Sequence, residues 1–359
     1  MPSEVVRARA AAVSSGSVIE GMQKVVKGTP RMALVGIGQM GRNHLRVLSE
    51  SPLVQLVVVV DNAIEEPDRA ILRGAKFART IEAIDPGEID CVVIATPTQT
   101  HHALVRHFLE RGVDVLVEKP IAATLAHAVE LKQLAEERGL RLMVGHLERL
   151  NPAVRKLKQA IDHGWLGDVI HFDVTRVGGY PTQVKGGNNV LLDLAVHDID
   201  VLNYLYGPFE HHASICHSIA APGVYDTAEI LLAAPDGPSA AIHVNWITPT
   251  KIRTLRVTGT KGVCFVDYVL QTCELMGGDL VKRQHSGDSQ YPEFIRGYVN
   301  ADRLVFGVMT REPLLIQLEN LVRELRGGLS EICSVDDAIH AVRIAHAAVA
   351  AQIEGLAKP

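Results

Sequence analysis

Short, unbroken apolar runs punctuate the first part of the chain. Residues 31–35, 53–62, 91–98, 113–120 and 140–145 each hold one, rich in Val, Ile and Leu, without polar alternation. Such runs are typical of parallel strands covered on both faces. Between them lie helix-like segments at 42–50, 101–112 and 124–139, and the last two close on Gly112 and Gly139, the residue that most readily ends a helix. Strands alternating with helices of this length predict right-handed β-α-β crossovers and a parallel sheet. After about Asn151 the texture changes. A helix over 152–164 leads to a strand over 168–178, a Gly/Asn-rich loop and a helix over 190–207. Strand-like segments then follow one another directly, at 211–220, 226–235, 240–248, 251–260 and 262–270, before two closing helices that begin at Pro313 and Val335. Consecutive strands predict an antiparallel or mixed sheet. The predicted fold is α/β: an N-terminal Rossmann doubly wound parallel sheet over 31–150, then a C-terminal α/β domain with an open, mostly antiparallel or mixed sheet over 151–359.

Composition supports this division. A chain of 359 residues is too long for one ordinary core and fits two domains. Residues 1–30 lack an apolar signal core and read as a flexible extension. The net charge of −5, with dispersed basic residues, argues against a nucleic-acid surface, which needs a concentrated positive patch. No uncharged apolar run approaches the ~20 residues that span a bilayer. The five cysteines are scattered, with no C-x-x-C pair, so neither a disulfide framework nor a metal site is expected. A reducing cytoplasm is the simplest home.

The chemistry begins at Gly36, Gly38 and Gly41, directly after a strand and at the start of a helix. Glycines at this spacing allow a tight turn, close approach of pyrophosphate to the backbone, and close helix–strand packing. The diphosphate then meets the amide-rich helix N-terminus. Asp61 ends the next strand 20 residues past Gly41, where a carboxylate accepts the adenosine ribose hydroxyls and repels a 2′-phosphate, so NAD is favoured over NADP. Glu118-Lys119-Pro120 closes another strand at the sheet edge where ligands bind in open α/β folds. A cis Lys119–Pro120 bond is anticipated there. Asp193 and His197 stand four apart on a predicted helix, so their side chains share a face, with Cβ atoms ~5–6 Å apart. A carboxylate can orient an imidazole and raise its basicity; an ordinary Asp–His pair on an exposed helix fits the spacing equally. His101 and His102 fit a helix-capping role, and His211 and His212 a strand.

Together Gly36/Gly38/Gly41, Ala95-Thr96-Pro97, Glu118-Lys119-Pro120, Glu148-Arg149 with Asn151-Pro152, Gly186-Gly187 and Asp193/His197 resemble the Gfo/Idh/MocA oxidoreductase family, over nearly the whole chain from Arg31. The resemblance implies a Rossmann domain, an α/β domain with an open sheet, and oxidation or reduction of a sugar or cyclitol hydroxyl by a nicotinamide. Residues 145–152, 193–205, 245–262 and 266–271 look more narrowly like enzymes that oxidise the C3 hydroxyl of UDP-N-acetylglucosamine, whose 3-keto product an aminotransferase takes on toward amino sugars. One departure is Gly-Gly-Asn-Asn at 186–189, where the family usually has three glycines. On this resemblance Gly36, Ile37, Gly38, Gln39, Met40, Gly41, Asp61, Thr96, Pro97, Glu118 and Lys119 hold NAD. Lys119, Asp193 and His197 are catalytic, and with Arg149, Asn151, Lys251 and Arg253 they contact the substrate. Lys251 and Arg253 fit a solvated strand end equally well. Another sugar or cyclitol substrate, or a UDP-uronic acid, fits the same fold. A regulator that binds NAD without catalysis fits it too, but such a protein need not keep Lys119, Asp193 and His197 together. Apolar residues at successive positions in the later strands suggest two apolar sheet faces, one left uncovered by helices. That predicts a homodimer or homotetramer.

Overall fold

The computed structural model describes residues 24–63, 69–179, 189–220, 222–277 and 303–351. They divide into two compact units. The first is built on a six-stranded parallel sheet: β1 (Arg31–Val35), β2 (Gln55–Val60), β3 (Lys76–Ala78), β4 (Cys91–Ile94), β5 (Asp114–Val117) and β6 (Leu142–Val144), in the spatial order β3-β2-β1-β4-β5-β6. This is the Rossmann order. Its helices are α1 (Gln39–Glu50), the single turn α2 (Arg69–Leu72), α3 (Thr98–Glu110) and α4 (Leu125–Arg138). The unbroken apolar runs are explained by burial on both faces. Ala33, Val92 and Val115 point toward Val105 and Phe108 of α3 and Leu131 of α4. Met32, Leu34 and Val93 point the other way, toward Leu45 and Leu48 of α1.

Two boundaries differ from expectation. The expected second domain, 151–359, gives Arg311–Arg343 back to the first unit. Helix α7 (Pro313–Leu325) buries Leu314, Leu318, Leu321 and Leu325 in the same core as Leu34 and Leu45. These residues recur at helical spacing and form one apolar stripe; the stripe is visible in the sequence, but its destination is not. The expected flexible extension is corrected at its end. Val26 is buried and its N–H donates to the Leu325 carbonyl at 2.9 Å. Arg141 donates to the Lys24 carbonyl at 2.8 Å and Arg326 to that of Gly28 at 3.0 Å. Residues 24–29 are thus fixed to the first unit, whereas 1–23 lie outside the described residues.

The second unit holds an eight-stranded sheet: β7 (Val169–Val177), β8 (Glu210–His217), β9 (Thr227–Ala233), β10 (Ser239–Asn245), β11 (Ile252–Gly259), β12 (Gly262–Asp267), β13 (Thr272–Gly277) and β14 (Arg303–Val305), in the order β14-β13-β12-β11-β7-β10-β9-β8. Only β7 and β10 pair in parallel, so the sheet is mixed, as expected. Helix α5 (Pro152–Asp162) packs on β12 and β13, and the turn Leu191–Ala195 packs on β10. The expectation of two apolar faces is corrected. Phe172, Val174, Ile230, Ile242 and Leu255 are buried on one face. The other presents Asp173 paired with Arg256 and Glu229 paired with His243, with Leu231 and Phe265 exposed among them. A shallow cavity of about 340 Å³ opens there beside Asp173, Arg256 and Glu274. Strand alternation decides this: Leu231 and Leu232 are neighbours in sequence and lie on opposite faces.

Candidate active site

The glycine loop follows β1, whose neighbours in the sheet are β2 and β4. Gly36 has φ +91°, and a Cβ there would stand 2.7 Å from the Ala95 carbonyl oxygen. A Cβ on Gly41 would stand 2.0 Å from the Gly36 carbonyl oxygen, so helix α1 and the loop touch backbone to backbone. Gly38 behaves differently: nothing lies within 4 Å of its Cβ position. It caps α1, receives no side-chain cap, and is followed by a first turn without an acidic residue. That open, amide-lined helix end fits a dinucleotide diphosphate. Asp61 follows β2, and its two carboxylate oxygens accept N–H bonds from Ile37 and Ala63, each at 2.8 Å. The carboxylate is therefore locked to the glycine loop. Gln39 is exposed and Met40 half-buried at the start of α1.

Beyond β4 and β5 stand Thr96-Pro97 and Glu118-Lys119-Pro120. The Lys119–Pro120 bond is cis, as anticipated. Glu118 is buried, and its Oε1 lies 2.7 Å from Nε2 of buried His44, while Oε2 accepts the Lys119 N–H at 3.3 Å. Burial alone would raise the Glu118 pKa; the His44 hydrogen bond and charge, with Lys119, outweigh it and hold the group below the usual glutamate value. Glu118 thus also holds the backbone N–H of the lysine that follows it. His101 is buried between the two loops, its ring nitrogens facing the carbonyls of Thr96 and Pro120, so its side chain does not cap α3. The sequence assigns no role to His44 and only a cap to His101. The available signal for His44 is its place on the buried stripe Gly41, His44, Leu45 and Leu48.

In the second unit Asp193 lies on a π-helical turn, Leu191–Ala195, that runs into α6 (Val196–Leu205). A regular helix was expected; π turns inside helices are rare and often sit at functional sites. The Asp193 carboxylate accepts the indole N–H of buried Trp246 at 3.0 Å. His197 follows on α6. Asp198 turns the other way and is gripped by the Arg176 Nε at 2.9 and 2.8 Å, both side chains fully buried.

Two residues expected at the substrate, Arg149 and Asn151, also have partners within the protein. Arg149 is buried and donates to Asp337 at 2.9 Å, so that guanidinium is engaged within its own unit. Buried Asn151 caps α5 through the Ala153 N–H and donates to the Tyr268 carbonyl, each at 3.0 Å. Lys251 is exposed and Arg253 half-buried at the start of β11. Gly186 and Gly187 lie outside the described residues.

Family models match both units: one described as an oxidoreductase family with an NAD-binding Rossmann fold over residues 30–146, the other as the GFO/IDH/MocA C-terminal domain over 154–264. The chain belongs to the Gfo/Idh/MocA oxidoreductase family. It is an NAD-dependent oxidoreductase. Among its relatives, the rhizopine catabolism protein MocA of Rhizobium meliloti is 27% identical over 327 residues, covering 89% of this chain and 93% of that one. The inositol 2-dehydrogenase of R. meliloti strain 1021 is 26% identical over 333 residues, 89% and 96%. UDP-N-acetylglucosamine 3-dehydrogenase of Acidithiobacillus ferrooxidans is 27% identical over 248 residues, 68% and 76%. A solved structure of that enzyme, GnnA, shares the fold with a TM-score of 0.76 at 22% identity, covering 91% of this chain and 98% of that one.

Proposed function

We propose that the protein oxidises a secondary ring alcohol of a sugar or cyclitol, and that its substrate is UDP-N-acetylglucosamine, taken at the C3 hydroxyl to the 3-keto nucleotide sugar. The observation that carries the reaction type is the Asp193 carboxylate, fixed by Trp246 on a π turn four residues ahead of His197. In this reading His197 takes the hydroxyl proton as general base, with Asp193 orienting the ring or touching the sugar. Lys119 donates to the same oxygen and stabilises developing alkoxide charge. Positioned groups of this kind contribute about 10²–10⁴ in rate. NAD, held by the Gly36–Gly41 loop and Asp61, supplies the hydride acceptor. Arg149, Lys251 and Arg253 are the candidates for the diphosphate, since a guanidinium suits bidentate oxyanion binding. We further assign the enzyme to the cytoplasm and to a two-fold or four-fold homo-oligomer.

A second substrate reading, a free cyclitol, is favoured by one observation: MocA and the inositol dehydrogenase align with 89% of the chain, against 68% for the nucleotide-sugar enzyme. The test is to incubate the purified protein with NAD and UDP-N-acetylglucosamine, UDP-uronic acids, myo-inositol and scyllo-inositol. NADH absorbance and product mass are followed. NADH with inositols alone selects the cyclitol; NADH with none of the panel defeats both readings.

A further inference from the structure

His101 stands in the first turn of α3 with its ring only 1% exposed. Nδ1 lies 2.8 Å from the Pro120 carbonyl oxygen and Nε2 2.9 Å from that of Thr96. A carbonyl oxygen only accepts. A neutral imidazole has one N–H and can satisfy one of these partners; an imidazolium has two and satisfies both. The two carbonyls belong to the loops that follow β4 and β5, one carrying Thr96 and Pro97, the other Lys119.

We propose that His101 is a positioning residue that ties these two loops together, and that both ties exist only when its ring carries two protons. The bearing on NAD rests on the assignment of Thr96, Pro97 and Lys119 to the cofactor; the tie itself does not. Burial pushes the His101 pKa below its ordinary value, against the raising pull of the Pro120 and Thr96 carbonyls and the Glu118 carboxylate, while Lys119 acts in the same sense as burial. Glu118 and Lys119, both from the loop after β5, are the charged groups facing the ring. The adjacent His102 turns to Glu130. At neutral pH the ring therefore holds one loop and presents a lone pair to the other carbonyl. As the pH falls through the ring's own value, below the ordinary ~6.5, the second bond forms and the loops are fixed in register.

Two measurements test this on the intact protein. Nitrogen NMR of histidine-labelled protein, with the His101 signals identified by their loss in His101→Phe, reports the protons on the ring. NADH fluorescence titrations between pH 5 and 8 report the loops. Both ring nitrogens should become protonated below the transition, and NADH should bind about threefold to tenfold more tightly across it, the scale of one hydrogen bond. His101→Phe should bind more weakly with that pH dependence gone. His101→Asn, which keeps a donor and an acceptor, should match the neutral wild type at all pH values. A ring that keeps one proton down to acid unfolding overturns the double tie. An NADH pH profile unchanged in both variants overturns the positioning role. NADH affinity that ignores both Thr96→Ala and Pro97→Ala overturns the placement of the loops at the cofactor, and the positioning role with it, whatever the ring does.

Discussion

With its carboxylate 2.7 Å from the His44 ring and little water nearby, Glu118 depends chiefly on His44 for its charge. His44→Leu leaves that charge buried without its partner, a change that typically costs about 3–5 kcal/mol. The pH dependence should also change sign. In the wild type the folded-state Glu118 pKa is lowered, so its contribution is complete above the unfolded value of about 4.3 and is lost as pH falls through the folded value. In His44→Leu burial dominates and the folded value rises above the unfolded one, so the variant should be more stable at pH 5 than at pH 7. Melting curves at the two pH values decide this; a variant less stable at pH 5 by the same margin as wild type would defeat it. Catalysis offers a second check. Lys119→Ala and His197→Ala should lower turnover by about 10²–10⁴ with NADH affinity nearly intact. Trp246→Phe, which removes the indole donor to the Asp193 carboxylate, should lower turnover by about tenfold or more, as expected for a hydrogen bond to a charged group. Near-normal turnover in His197→Ala removes it as the base. At this scale the glycines and Asp61 were legible because their spacing is itself the chemistry. The ion pair of Arg149 was not: Asp337 is 188 residues away, and no local pattern announces it.

Among the elements, β1, β2, β4, β5 and β6 were readable from unbroken apolar runs, since a strand buried on both faces leaves no polar positions. The second sheet was readable as mixed, but its faces were not, because adjacent leucines such as Leu231 and Leu232 look alike until register separates them. β13 and β14 were missed. The π turn at Leu191–Ala195 is a one-residue departure inside an otherwise helical pattern, which spacing cannot resolve. The segment before β1 yields a prediction here. A chain starting at Pro30 loses the buried Val26 side chain and the backbone bonds at Lys24, Val26 and Gly28. Burial of the valine and a few hydrogen bonds together stabilise by about 3 kcal/mol. The melting temperature should fall by roughly 5–10 °C relative to a chain starting at Lys24. Equal melting temperatures would show that residues 24–29 contribute no stability.

For the whole molecule, the open face of the second sheet bears on assembly. Its apolar residues, Leu231, Ile252 and Phe265, are more than two-fifths exposed and are interleaved with ion pairs. The association we expect there is therefore a wetter one than two apolar faces would give. Light scattering coupled to size exclusion should give a dimer or tetramer, and Phe265→Asp should weaken it; a stable particle near 39.0 kDa at micromolar concentration sinks the idea. The return of α7 to the first unit has a different consequence, for synthesis. Proteins emerge from the ribosome N-terminus first, so the cofactor-binding unit waits for Leu325 before one side of its sheet is closed. Until then Leu34, Leu45 and Leu48 lack the leucines of α7 that pack beside them. A fragment ending at Leu150 should therefore aggregate or bind chaperones, and a peptide spanning Arg311–Arg343, supplied in trans, should rescue it. Growing chains of this protein should depend on chaperones until that segment has been made, since the whole stretch 151–310 of the second unit is translated before it.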